Sequence, residues 1–134
     1  MIPSVDEMLT EDFEVTIEPS KTYRMNTDGK YINGLCDDAE AVRQSVYKIL
    51  NTERYKYIIY SWDYGIEIQD LIGLSVSYVC SELQRRITEA LLQDDRIEAV
   101  TDFEFDTSKK KEVVCAFIVH TIFGDMVAEK VVNI

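Results

Sequence analysis

"RIEAVTDFEFDTSKKKEVVCAFIVHTIFGDMVAEKVVNI", residues 96–134, decides the fold. Its first part alternates toward the end, with Phe103 and Phe105 on one side and Asp102, Glu104 and Asp106 on the other. A period of two is the signature of a strand with one solvated face. "TSKKKE" is a polar turn, and "VVCAFIVHTIF" is apolar on both faces, as suits a central or doubly covered strand. Gly124-Asp125 places glycine first in a two-residue connection, the pattern of a type II′ turn, and "MVAEKVVNI" returns as the last strand. The segment predicts an antiparallel meander that ends in a hairpin over roughly 112–134.

Upstream, the apolar period lengthens to that of a helix. A helix capped by Ser75 or Ser77 and ended by Asp94-Asp95 carries Val79/Cys80, Leu83, Ile87 and Ala90/Leu91 as its stripe, and turns Glu82, Arg85, Arg86 and Glu89 to water. Before it, "EIQDLIG" predicts a short helix closed by Gly73. An earlier helix starts from Asp37, with Glu40 completing a capping box, repeats Val42, Val46, Ile49 and Leu50, and ends near Asn51. Asp28-Gly29 between two alternating runs predicts another hairpin. Hairpin, helices, then meander amount to an α+β fold, with helices packed on one face of a small, mainly antiparallel sheet. Residues 1–21 are acid-rich, contain Pro3 and Pro19 and lack a sustained helical period, so they read as a flexible acidic arm that orders on a partner. Residues 22–134 form the single α+β domain.

A chain of 134 residues, 46% hydrophobic and 29% charged, is long enough to bury a core without covalent staples. Its net charge of −11 argues against nucleic acid, because phosphate binding needs a cationic face, and less strongly against an anionic membrane. No run approaches the ~20 apolar residues that cross a bilayer, and the acidic beginning is not a signal peptide. Cys36, Cys80 and Cys115 lie far apart in apolar patterns and read as reduced, packed thiols. There is no phosphate-cradling glycine loop, zinc spacing or calcium loop, hence no cofactor and no metal is expected.

His120, the single histidine, sits in the most apolar strand and reads as a satisfied core or face residue. It cannot pair with Cys115, since five positions along a strand separate opposite faces. A glycosidase would need two carboxylates at a set separation. Asp37/Asp38 has a capping role, Asp94/Asp95 lies at a helix end, and Asp102/Glu104/Asp106 looks like a solvated face. "TERYKYIIYSWDYGIEIQDLIG", residues 52–73, gathers Tyr55, Tyr57, Tyr60, Trp62 and Tyr64. Stacking on single-stranded bases is opposed by the charge, and a sugar platform is a second reading. The third is a packed connector between the two helices that presents part of itself to another subunit.

"AVRQSVYKILNTERYKYIIYSWDYGIEIQDLIG", followed by "ITEALLQDDRIEAV", resembles the baseplate wedge and sheath-initiator family of contractile tails. That family includes the lysozyme-named baseplate protein of myophages and counterparts in type VI secretion. The likeness spans about residues 22–134 and is strongest to the branch of Gram-positive phages and defective prophages. Many members carry Glu-Pro-Arg where this chain has Asp94-Asp95-Arg96. The resemblance implies that this signature organises the helix–sheet junction and the wedge contact, with Arg96 the residue that carries over; locally, Arg96 is expected to pair with a carboxylate such as Asp94 or Glu53.

It further implies a structural protein without catalytic activity, assembled in the bacterial cytoplasm and then held in the baseplate of the particle. Baseplate wedge proteins and the tail sheath protein are the implied partners, in a sixfold ring. The implied mechanism is strand addition to the hairpin at 112–134, with Glu129 and Lys130 guarding the edge until the partner arrives. Candidate contact residues are Arg96, Asp94, Glu53, Tyr60, Trp62, Tyr64, Val127, Glu129, Val131 and Val132. A small muramidase using paired carboxylates is the alternative.

Overall fold

The computed structural model describes residues 21–26 and 31–134. Residues 1–20 of the predicted arm and the Asp28-Gly29 turn lie outside the described residues.

The meander forms as its alternation requires. Strands β3 (Ile97–Asp106), β4 (Glu112–Thr121) and β5 (Gly124–Asn133) make an antiparallel sheet in the order β3-β4-β5. Along β4, Val113, Cys115, Phe117 and Val119 are buried under the helices, while Val114, Ala116 and Ile118 on the helix-free face are half-buried. Phe103 and Phe105 share the helix side and stack with each other at 6.3 Å, and Phe103 also stacks on Phe117 at 5.3 Å.

The hairpin turn lies two residues earlier than its glycine suggested. Thr121 pairs with Gly124, so the turn is Ile122-Phe123, and Gly124 begins β5 with φ +115°. The Thr121 hydroxyl donates to the Gly124 carbonyl at 2.7 Å and accepts from the Phe123 amide at 3.1 Å. With the hydroxyl closing the turn, glycine supplies the positive φ just after it.

Helix α1 (Asp38–Leu50) and helix α2 (Val76–Leu92) cover one sheet face. Val42, Val46 and Ile49 from α1 and Val79, Leu83, Ile87 and Leu91 from α2 meet Val113, Phe117 and Val119 in one core. Asp37 caps α1, but the capping box does not form. Its carboxylate accepts from the Asp38 amide at 2.8 Å, Asp38 turns to φ 54°, and Glu40 pairs with Arg24 at 3.0 Å. Ser75 occupies the cap of α2 without a side-chain bond. The short helix is a single 3₁₀ turn, Gln69–Leu71, followed by Gly73 at φ 88°. No helix among the described residues is long and apolar enough to cross a membrane.

Strands β1 (Thr22–Asn26) and β2 (Tyr31–Cys36) form a separate antiparallel pair. Besides the Arg24–Glu40 pair, Gln44 fastens it to α1, a buried polar residue although it lies opposite the apolar stripe of the helix. Its amide behaves like a neighbouring strand: Nε2 donates to the Tyr23 carbonyl at 2.8 Å, and Oε1 accepts from the Met25 amide at 2.7 Å. Gln44→Ala removes both bonds, leaving the Tyr23 carbonyl with the long Cys36 thiol contact at 4.0 Å, and the loss should cost about 1 kcal/mol per bond. Amides of β1 are expected to exchange faster by hydrogen exchange while those of β4 keep their protection; unchanged β1 protection would contradict the anchoring role.

All three cysteines are free. Burial, with a smaller contribution from Cys80, pushes the Cys115 thiol up to about 12, so it stays protonated and inert.

Candidate functional site

Loop 52–66 is closed at its base by main-chain bonds. The Ile66 amide donates to the Thr52 carbonyl at 2.9 Å and the Arg54 amide to the Ile66 carbonyl at 3.1 Å, making a parallel bridge between Glu53 and Ile66. Gly65 makes this approach possible. A Cβ there would lie 2.6 Å from the Thr52 carbonyl oxygen, and its φ is 91°.

Two arginines bind the base to α2. Arg54 donates to the Gly65 carbonyl at 3.2 Å and to Glu89 at 3.2 Å. Arg86 grips Asp70 with two bonds of 2.5 and 3.0 Å, and also reaches Glu82 and the Glu67 carbonyl. Arg86 and Glu82 were expected to face water; instead the loop lies over that side of α2 and the Arg86 side chain is only 12% exposed. The Asp70 side-chain bonds from Arg86 hold its carboxyl below the usual range, against a smaller opposing effect of burial.

Above the base the rings stack on one another rather than between the helices. Tyr60 lies on Tyr64 at 4.4 Å, Tyr57 meets Tyr60 edge-on at 6.2 Å, and Tyr55 tilts against Trp62 at 5.3 Å. Tyr64 alone touches the core, and burial pushes its phenol up. Trp62 is 77% exposed, and Ile58 and Ile59 are fully or nearly fully exposed. This corrects the expected packed connector: the locking is done by Thr52, Arg54, Gly65 and Ile66, and the aromatic tip is free. Ile58-Ile59 is not among the residues that the sequence patterns single out; its one local signal is an isoleucine pair between Tyr57 and Tyr60.

The second cluster sits where α2 turns into β3. Arg96 holds Asp94 in a bidentate pair, Nε to Oδ1 at 2.9 Å and Nη2 to Oδ2 at 2.6 Å, and Nη2 also donates to the Ser45 hydroxyl at 2.8 Å. The side chains are 15% and 11% exposed. Burial pushes Asp94 up, but the Arg96 side-chain and amide bonds and the nearby charge outweigh it, leaving the carboxyl below its ordinary value. Of the two expected partners of Arg96, Asp94 is the one found. Glu53 instead accepts from the amides of Ile68 at 3.0 Å and Gln69 at 3.2 Å, capping the 3₁₀ turn. Ser45 could not be assigned from sequence, being 51 positions away.

The third feature is the edge of β5. The Ile134 amide donates to the Lys111 carbonyl at 2.9 Å, and the register runs on without a shift from Glu112 opposite Asn133 to Thr121 opposite Gly124. Bonded and non-bonded pairs alternate in an antiparallel ladder. Even-numbered residues of β5 therefore bond β4, and the backbone groups of Asp125, Val127, Glu129 and Val131 point to the free edge. Their side chains stand on the helix-free face, where Val127 and Val131 are exposed. Val132 is buried in the core, and Lys130 turns inward to Asn51 at 3.5 Å. Burial lowers the Lys130 ammonium, with the Glu53 charge opposing. The opposite edge, β3, is broken by register shifts at Ile97/Ala99 and Thr101/Glu104, with Asp102 at φ 56°.

His120 is a satisfied face residue, as expected. It spans the sheet, with Nε2 2.6 Å from the Thr101 hydroxyl on β3 and Nδ1 2.8 Å from Asp125 on β5. The carboxylates weighed for hydrolysis are scattered. Asp37 and Asp38 start α1, Asp94 is committed to Arg96, and Asp106 accepts from the Ser108 amide at 2.9 Å.

Against known proteins, residues 11–124 match the family model described as contractile injection system sheath initiator. The chain is also 42% identical over 134 residues to the phage-like element PBSX protein XkdS of Bacillus subtilis (strain 168), covering 95% of this chain and 94% of that protein.

Proposed function

This chain belongs to the contractile injection system sheath initiator family, a structural part of contractile tails, and from that premise we propose that it starts the sheath by accepting a sheath strand on β5. One observation carries the reading: β5 is a regular ten-residue edge with outward backbone groups, whereas β3 is bulged. Bulges spoil an edge for pairing, and a flat one invites it. A strand added to β5 gains main-chain bonds along its whole length. The aromatic tip, with Ile58, Ile59, Tyr60 and Trp62, is the proposed contact to the baseplate wedge, since exposed rings and aliphatics on a braced loop fit the centre of an interface. The Arg96–Asp94 pair supports that contact by holding the helix–sheet junction. Repetition around the tail axis gives a sixfold ring, placed in the baseplate after assembly in the host cytoplasm.

Proline scanning tests the edge. Proline lacks the amide hydrogen and is tolerated where that amide faces outward. Val131→Pro is expected to leave a folded monomer whose melting temperature stays within a few degrees, yet yield particles with no sheath by electron microscopy. Val132→Pro removes a ladder bond from the core and should cost about 3 kcal/mol. Sheaths of normal length on Val131→Pro baseplates would refute strand addition at β5.

A further inference from the structure

We propose that the β5 edge selects its partner by a side-chain pattern: an incoming antiparallel strand with a basic residue opposite Glu129, β-branched residues opposite Val127 and Val131, and a large apolar residue opposite Ala128. The proposal rests on the strand-addition reading and names the chemistry of the strand that fits.

On the helix-free face, the edge presents Asp125, Val127, Glu129 and Val131 in alternation. Asp125 is engaged by His120, which leaves Glu129 as the charge in the row without an ion-pair partner among the described residues. Directly opposed charges of unlike sign stabilise a strand pair and like charges oppose it. In two registers the same row also opposes pairing with a second copy of this chain. A twofold pairing centred on Glu129 sets that carboxylate against itself, and one centred on Val127 sets Glu129 against Asp125 twice. A foreign strand with a cation at that position escapes both penalties.

On the other face, α1 overhangs the edge. Arg43, Tyr47, Leu50 and Asn51 from the helix and Met126 and Ala128 from the strand line a groove of about 150 Å³ that opens beside β5. Ala128 is the small residue of that row, between Met126 and Lys130. A strand laid along the edge directs every second side chain into this groove, and the one facing Ala128 has room for a leucine or isoleucine. Its neighbour, opposite the inward Lys130, is best acidic. From amino to carboxyl end, the fitting core is thus β-branched, acidic, basic, large apolar, β-branched.

The test uses the full chain and synthetic peptides centred on valine, glutamate, lysine, leucine and valine. A control peptide exchanges the glutamate and lysine, preserving composition and charge; a second replaces leucine by alanine. Binding is followed through the amide NMR shifts of β5. The first peptide is expected to bind about five- to tenfold more tightly than the exchanged one, by opposed-pair energies, and more tightly than the alanine one. In Glu129→Lys the preference between the first two should disappear or invert. Equal affinity for all peptides, with β5 amides still shifting, overturns the selection pattern while leaving strand addition intact. No β5 shift with any peptide overturns strand addition itself, and the pattern with it.

Discussion

Asp94→Ala is expected to destabilise the protein by about 3 kcal/mol, near the lower end for breaking a buried ion pair by removing one partner. The carboxylate accepts both guanidinium bonds and, at 3.0 Å, the Arg96 amide. Without it, the side chain of a mostly buried cation retains the Ser45 hydroxyl as its hydrogen-bond partner among the described residues. Chemical denaturation reads the loss directly. The double variant Asp94→Ala/Arg96→Met should cost less than the two single changes together, since no unpaired charge remains. Additive losses would show that the pair is not coupled. The sign of the pH dependence follows from the lowered carboxyl. A group whose folded pKa is depressed contributes its stability in full above the unfolded value and loses it as pH falls through the folded one. Wild type should therefore lose more stability than Asp94→Ala on acidification below the ordinary carboxylate range, and the gap between their melting temperatures should narrow.

Gly65→Val should cost about 3 kcal/mol and open the base of the aromatic loop. Two effects add there. The φ of 91° is one a β-branched residue adopts only with strain of order 1–3 kcal/mol, and the added Cβ meets the backbone oxygen of Thr52 at 2.6 Å, which no rotamer change relieves. Gly73→Val is the control: its φ is 88° but nothing lies within 4 Å of the new atom, so strain alone remains. Trp62 is the single tryptophan and contacts Tyr55, so its fluorescence reports the loop. Gly65→Val should shift that emission and abolish attachment of the protein to wedge complexes in a pull-down, while Gly73→Val leaves both closer to wild type. Retained wedge attachment with an altered emission would remove the aromatic tip from the interface.

Periodicity made the elements legible: the two helical stripes and the alternation of β3 survive in the structure because each follows from which face must be buried. Punctuation was less legible. Gly124 signals a positive φ but not whether it falls within the turn or after it, and the Thr121 hydroxyl decided that locally. Glu40 has the spacing of a capping residue, yet Arg24 on strand β1 pairs with it. The Asp94–Arg96 pair, two positions apart, was readable; Ser45 and Gln44 act through space and leave no local trace. The aromatic stretch departs from its expected packing for a related reason. Rings suggest burial, but the clasp that supports them is made of backbone bonds between Thr52, Arg54 and Ile66, to which side-chain identity contributes little beyond Gly65.

The interruptions of β3 limit what the molecule can build. In the language of polymer chemistry, a sheet with two receptive borders is bifunctional and can be inserted anywhere in a growing fibril. With Asp102 kinking one border and the other regular, the proposed strand addition would make this protein monofunctional, an end group that begins a series and does not sit in its middle.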